Sequence, residues 1–120
     1  MANLDDKIAE LLDIEGALCA AVVDSKNGMV MANAGAGIDI EIAAAGNTDV
    51  VRAKMKTIDL LKLNDKIDDI LITLGKQYHI IRPLQSVDGA FIYLVLDTKN
   101  ANLALARRKV NDFDATIESL

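Results

Sequence analysis

At 120 residues and 52% apolar side chains, the chain carries enough apolar surface to bury a core, which excludes an intrinsically disordered segment. Its net charge of −5, with Arg107-Arg108-Lys109 as the densest basic run, excludes a domain whose affinity comes from neutralising nucleic-acid phosphates. The single cysteine, Cys19, excludes an intramolecular disulfide, and no stretch reaches the roughly 18 uninterrupted apolar residues of a membrane helix.

The run from Met1 to Asp6 lacks the basic start and apolar centre of a signal peptide, so the expected compartment is the cytoplasm, without membrane insertion. No repeat, linker or low-complexity segment interrupts the chain, and residues 1–120 read as a single domain. Aromatic residues are only 3% of the chain and Trp is absent, so aliphatic side chains are expected to fill the core.

Leu4, Ile8, Leu11 and Leu12 recur at helical spacing between charged residues and predict a short amphipathic helix from Asn3 to Asp13, stopped by Gly16. Ala17 to Val23 reads as a strand. It runs into Asp24-Ser25-Lys26-Asn27-Gly28, whose Asn-Gly pair tolerates the positive φ of a tight hairpin, and a second strand follows at Met29 to Ala32. Asn33 to Gly37 is read as a loop.

Asp39 or a neighbour then opens a long helix that extends to about Leu61. Ile42, Ala45, Asp49, Arg52, Lys56 and Asp59 mark one stripe of it, and Ala43, Val50, Ala53 and Leu60 lie near a more apolar one. Gly46 in its middle costs about 1 kcal/mol relative to Ala unless its missing side chain is used, and its small neighbours suit the close approach of another backbone. The alternative is a break into two helices with Thr48 as the second cap.

Lys62 to Asp65 is a polar exit. Three strands follow, at Ile70 to Leu74, Gln77 to Leu84 and Ala90 to Leu96, with Pro83 expected at a strand end or a free edge because it lacks an N–H. Leu103, Ala106, Val110, Phe113, Ile117 and Leu120 share one face of a last helix that Asn100 or Thr98 can cap. The order α-β-β-α-β-β-β-α, with short turns between successive strands, predicts a three-layer α/β (α+β) domain. A five-stranded antiparallel sheet carries the long helix on one face and the two terminal helices on the other.

Residues for chemistry are scarce. His79 reads as a partly exposed strand residue and Cys19 as a buried, inert thiol. One His and one Cys do not make a zinc site, and Asp65, Asp68 and Asp69 read as a solvated face, unlike a calcium loop. Gly35-Ala36-Gly37 lacks the further residues of a phosphate loop. Arg52, Arg82, Arg107 and Arg108 read as surface residues. No catalytic residue, metal or cofactor is expected, and the chain is not expected to be an enzyme. Surfaces remain: Ile70 to Leu74 carries no charge or Pro within it, so at a sheet edge a second copy could cover it, whereas a monomer would have to cover it internally.

The run Gly16-Ala17-Leu18-Cys19-Ala20-Ala21-Val22-Val23-Asp24-Ser25-Lys26-Asn27-Gly28 together with this element order resembles the roadblock family. That family includes a class of dynein light chains and the bacterial gliding-motility proteins that regulate a Ras-like GTPase. Asn102-Leu103-Ala104-Leu105-Ala106-Arg107 resembles the Asn-Leu-Gly-Leu-x-Arg opening of the last helix in bacterial members, with Ala104 where Gly is usual. The likeness covers nearly the whole chain.

The resemblance implies a homodimer joined through the long helix and the third strand. Its interface would fall at Ala43, Gly46, Val50, Ile70, Leu71, Ile72, Thr73 and Leu74, with the sheet continuous across two subunits. It implies a non-catalytic platform for a Ras-like small GTPase, stimulating GTP hydrolysis in some members without an arginine finger. The readings left open are a structural adaptor without a GTPase partner, a small-molecule sensor or minor enzyme, and a heterodimer with a paralogue.

Overall fold

A computed structural model describes residues 3–118. Asn3 caps α1 (Leu4–Ala9), its Oδ1 accepting from the Asp6 N–H at 2.8 Å. The chain then tightens into one 3₁₀ turn, Glu10–Asp13, instead of continuing the α-helix as the spacing predicts. Ile14 is already extended, so the helical path ends three residues ahead of Gly16.

β1 (Ala17–Asp24) and β2 (Met29–Gly35) pair antiparallel. Their loop differs from the tight hairpin expected. Asp24 pairs with Met29, leaving four loop residues in which Gly28 has φ +75° and Asn27 stays at negative φ. The Gly28 N–H donates to the Asp24 carbonyl at 2.8 Å, while the Asp24 and Asn27 side chains accept from the Lys26 and Met29 N–H groups. β2 also runs through Asn33, Ala34 and Gly35, read as loop from the sequence, because these residues continue the ladder opposite Ala21, Ala20 and Cys19. Gly35 (φ +86°) is required there, since a Cβ would collide with the Leu18 carbonyl oxygen.

Asp39 caps α2 (Ile40–Leu60), and the helix is continuous through Gly46. Thr48 caps nothing: its hydroxyl donates to the Ala44 carbonyl at 2.7 Å, which satisfies it inside the helix. The buried stripe is Ala44, Thr48 and Val51, while Val50, Ala53 and Leu60 of the more apolar stripe point outward. β3 (Ile70–Thr73), β4 (Gln77–Pro83) and β5 (Ala90–Asp97) follow. Pro83 ends β4, as its missing N–H requires. The cap of α3 (Leu103–Ala115) is Asn102, rather than Asn100 or Thr98, accepting from the Leu105 N–H at 3.0 Å. The helix ends before Ile117, which is still buried; Leu120 lies outside the described residues.

The sheet is antiparallel throughout, in the order β2-β1-β5-β4-β3. Ala90 to Leu96 is buried at every position, which a strand achieves only at the centre of a sheet with both faces covered. On one face Ile92, Leu94, Leu96 and Ile80 meet Ile8 and Leu11 from the first helical segment, Ile14 just after it, and Ala106, Val110 and Phe113 from α3. On the other, Phe91, Tyr93, Val95 and Ile81 meet Ala44 and Val51 of α2. The predicted three-layer order is the observed one.

Two ion pairs tie α3 to the β3–β4 end. Asp114, almost fully buried, accepts from Arg82 Nε at 2.8 Å and from the Gln85 N–H at 3.1 Å. Asp69 accepts two hydrogen bonds from Arg107, at 2.9 and 3.1 Å. Arg82, Arg107 and Asp69, expected as surface residues, are thus ion-paired, and Arg82 is largely buried. The side chains of the first pair are 13% and 3% exposed and those of the second 42% and 20%. Asp114→Ala should therefore lower the unfolding free energy by about 3 kcal/mol, because it strands a largely buried guanidinium. Arg107→Ala should cost under about 1 kcal/mol. Urea unfolding of both variants checks the ranking.

Candidate protein-binding surface

α2 has 21 residues, yet its buried side is only Ala44, Thr48 and Val51. It packs chiefly on β2 and β1, so the opposite flank has no covering element. Along that flank Ala43 is half-buried, Gly46 and Val50 are exposed, and Ala53 and Thr57 continue the line at helical spacing. Ile42 and Leu60, each 72% exposed, extend the apolar surface at the two ends of the helix. A Cβ built at Gly46 meets nothing within 4 Å, so its own chain makes no use of this glycine.

β3 is an edge strand, bonded only to β4. Alternation sends Ile70 and Ile72 to the α2 face, where Ala43 also packs, and Leu71 to the opposite face. All three are half-buried, and Thr73 is exposed. Leu74 lies outside the strand, where its N–H donates to the Gln77 carbonyl in the turn to β4. The eight residues singled out from the sequence thus lie on α2 and on β3 with the turn that follows it. They do not form one buried cluster in the single chain.

The two sheet edges differ. β2 carries a bulge: Val22 pairs with Ala32 and Val23 with Val30, so Met31 is an extra residue that disrupts the ladder. β3 runs in regular register with β4 from Ile70↔Ile81 to Thr73↔Tyr78, without bulge, charge or proline. One edge is blunted and the other is open to a further strand.

Where the α2 face meets the β3 edge lies a polar network that sequence reasoning missed. His79 pairs with Ile72 across the β3–β4 ladder. Its Nε2 is 2.9 Å from Gln77 Oε1 and its Nδ1 3.0 Å from the Tyr93 hydroxyl. The neutral tautomer with the proton on Nε2 satisfies both: Nε2–H donates to Gln77, and the Tyr93 O–H donates to Nδ1. The rings meet edge to face, centroids 5.4 Å apart.

Burial lowers the His79 pKa from its ordinary 6.5 and raises that of Cys19. It pushes Tyr93 up to about 12, against the opposing effect of the Asn47 side chain. No sequence spacing signals this network, because its members come together only through strand register. Among the described residues no group of three or more His, Cys, Asp or Glu could hold a metal ion, and none of the helices is long and apolar enough to cross a membrane.

The fold and this surface define a small α/β domain whose most distinctive feature is an open strand edge beside an uncovered helix flank. No family model matches the chain, and no curated protein matches it by sequence. Solved structures do. A Roadblock/LC7 domain from Streptomyces avermitilis superposes with a TM-score of 0.83 at 11% identity, covering 96% of this chain and 94% of its own. MglB of Myxococcus xanthus gives 0.83 at 17% identity, with 95% and 90% covered. The gliding protein MglB of Thermus thermophilus gives 0.74 at 17% identity, with 96% and 91% covered. The chain has the Roadblock/LC7 fold.

The His79 network yields a pH prediction. A depressed folded-state pKa favours the neutral ring, so its contribution to stability is complete above about 6.5 and is lost as pH falls through the lower folded value. Urea midpoints should accordingly fall more steeply as the pH drops below about 6.5 in the parent protein than in His79→Gln, which has no such titration. Parallel curves would remove His79 as the source.

Proposed function

We propose that the chain is a non-catalytic homodimeric platform that binds and regulates a Ras-like small GTPase in the cytoplasm. The observation that carries the dimer is the regular, uncharged β3 edge lying beside the uncovered flank of α2. Two copies related by a twofold axis would pair β3 with β3 and lay Ala43, Gly46 and Val50 against their counterparts, an isologous contact. The missing side chain of Gly46 would let the two helices approach closely, which accounts for a helix-interior glycine that its own chain leaves unused. The expected area is that of an ordinary specific interface, roughly 800 Å² per partner.

The GTPase assignment rests on the structural likeness to a gliding protein together with the sequence resemblance to the roadblock members that regulate a Ras-like GTPase. In this reading any stimulation of hydrolysis works by holding the GTPase in its hydrolytic conformation. Arg82 and Arg107 are engaged by Asp114 and Asp69 and have no catalytic part in this reading.

Two measurements test the proposal. Gly46→Leu places a side chain in open space of the single chain, so it should stay folded but sediment as a monomer where the parent protein sediments as a dimer. A dimeric variant would place the interface elsewhere. Affinity capture from the native lysate with a GTP analogue or GDP should enrich a Ras-like GTPase in the GTP-analogue sample alone. The same non-GTPase partners in both samples would instead make the chain a structural adaptor.

A further inference from the structure

The C-terminal end of α2 closes over a cleft that the proposed contact through Ala43, Gly46, Val50 and β3 leaves free. Its floor is apolar, formed by Met55 and Ile58 of α2, Ile67 of the connection to β3, and Pro83 and Leu84 at the end of β4. The volume is about 230 Å³. Ordinary small-molecule sites hold roughly 300–1,000 Å³, so this one suits a single long side chain better than a metabolite.

The rim is charged. Asp59, Asp65 and Asp88 stand around the floor with one ammonium, that of Lys66. None of these carboxylates has a salt-bridge partner: the ion pairs among the described residues are Arg82–Asp114 and Arg107–Asp69. Arg52 and Lys56 line a separate shallow depression with Ser25, Lys26, Met55 and Asp59, so Asp59 stands between the cleft and these cations without an ion pair to any of them.

Asp59 is also placed against the local field. It occupies the last turn of α2, where the helix dipole disfavours an anion, and that turn holds no basic residue. The turn is closed by a Schellman arrangement, in which the Leu63 N–H donates to the Ile58 carbonyl and the Lys62 N–H to that of Asp59. Lys62 has φ 55° in it, where glycine is the usual residue. The chain thus holds an unpaired anion at an unfavourable helix end, at the mouth of an apolar cleft, and a cation would relieve it.

We propose that this cleft receives an arginine side chain of a partner protein. Its methylene stem lies on the Met55, Ile58 and Leu84 floor, and its guanidinium sits among Asp59, Asp65 and Asp88. A long apolar stem with a charged head matches apolar floor and anionic rim in that order. Carboxylates from three separate segments suit the several divergent N–H donors of guanidinium better than the compact charge of an ammonium. The site is independent of whether the partner is a GTPase and of whether β3 pairs with a second copy.

The test is a methyl and amide NMR titration of the full chain with acetyl-Gly-Arg-Gly-amide, run beside the same peptide carrying norleucine. The arginine peptide should give saturable shifts centred on Ile58, Ile67, Leu84 and Asp88. The norleucine peptide should give none. In Asp59→Asn/Asp88→Asn, whose changes are at exposed positions, the affinity should fall by about tenfold while the thermal midpoint holds or rises slightly, since an anion leaves the C-terminal end of α2. Equal binding of the norleucine peptide would make the cleft a purely apolar site. That result, shifts scattered over all surface carboxylates, absence of shifts, or a double variant binding as the parent does would each overturn the proposal.

Discussion

Every other part of the molecule depends on the burial of β5. From Ala90 to Leu96 every residue is buried, so both faces of the strand must be covered along their length, and burying each large aliphatic or aromatic side chain contributes roughly 1.5–3 kcal/mol. Three helices are available for two faces. The first helical segment and α3 share one face, and α2 alone serves the other. Because α2 lies chiefly on β2 and β1, the coverage of its face thins toward β4 and β3. The half-buried Ile70 and Ile72, the polar caps on Tyr93 and the free edge are consequences of that shortage.

The thinly covered side is kept rigid by polar contacts. Tyr93 is buried at the centre of the sheet, and its hydroxyl reaches His79, which in turn reaches Gln77. Among the described residues no buried side-chain nitrogen or oxygen lacks a partner. From the opposite face, Asp114 of α3 holds Arg82 of β4, and Arg107 holds Asp69 just before β3. The edge strand is thus anchored at both its start and its neighbour, and a surface meant to receive another chain gains from such preorganisation.

Much of this was legible in the chain. The element order, the antiparallel arrangement and the Asp39 cap follow from period, turn residues and capping chemistry, all local properties. The failures have local causes too. Asn33 to Gly35 look like loop because Asn, Ala and Gly have weak strand preference, and only the partner strand β1 makes them strand. On α2 only Ala44, Thr48 and Val51 form the buried side while Ile42, Val50, Met55 and Leu60 face outward, reversing the usual order of hydrophobicity. That reversal is itself the mark of a helix with a second surface to cover.

The candidate surface divides along the same line. Composition and pattern by themselves determined that the chain is a packed α/β domain with a single His and a single Cys, and that β3 is an uncharged strand, because these rest on residue type and spacing alone. Tertiary structure alone decided that β3 is an edge while β2 is bulged, that His79 meets Tyr93, that Arg82 and Arg107 are occupied, and that Asp59, Asp65 and Asp88 ring one cleft. Each of these joins residues far apart in the chain, and their meeting depends on strand order and register, which no local preference encodes.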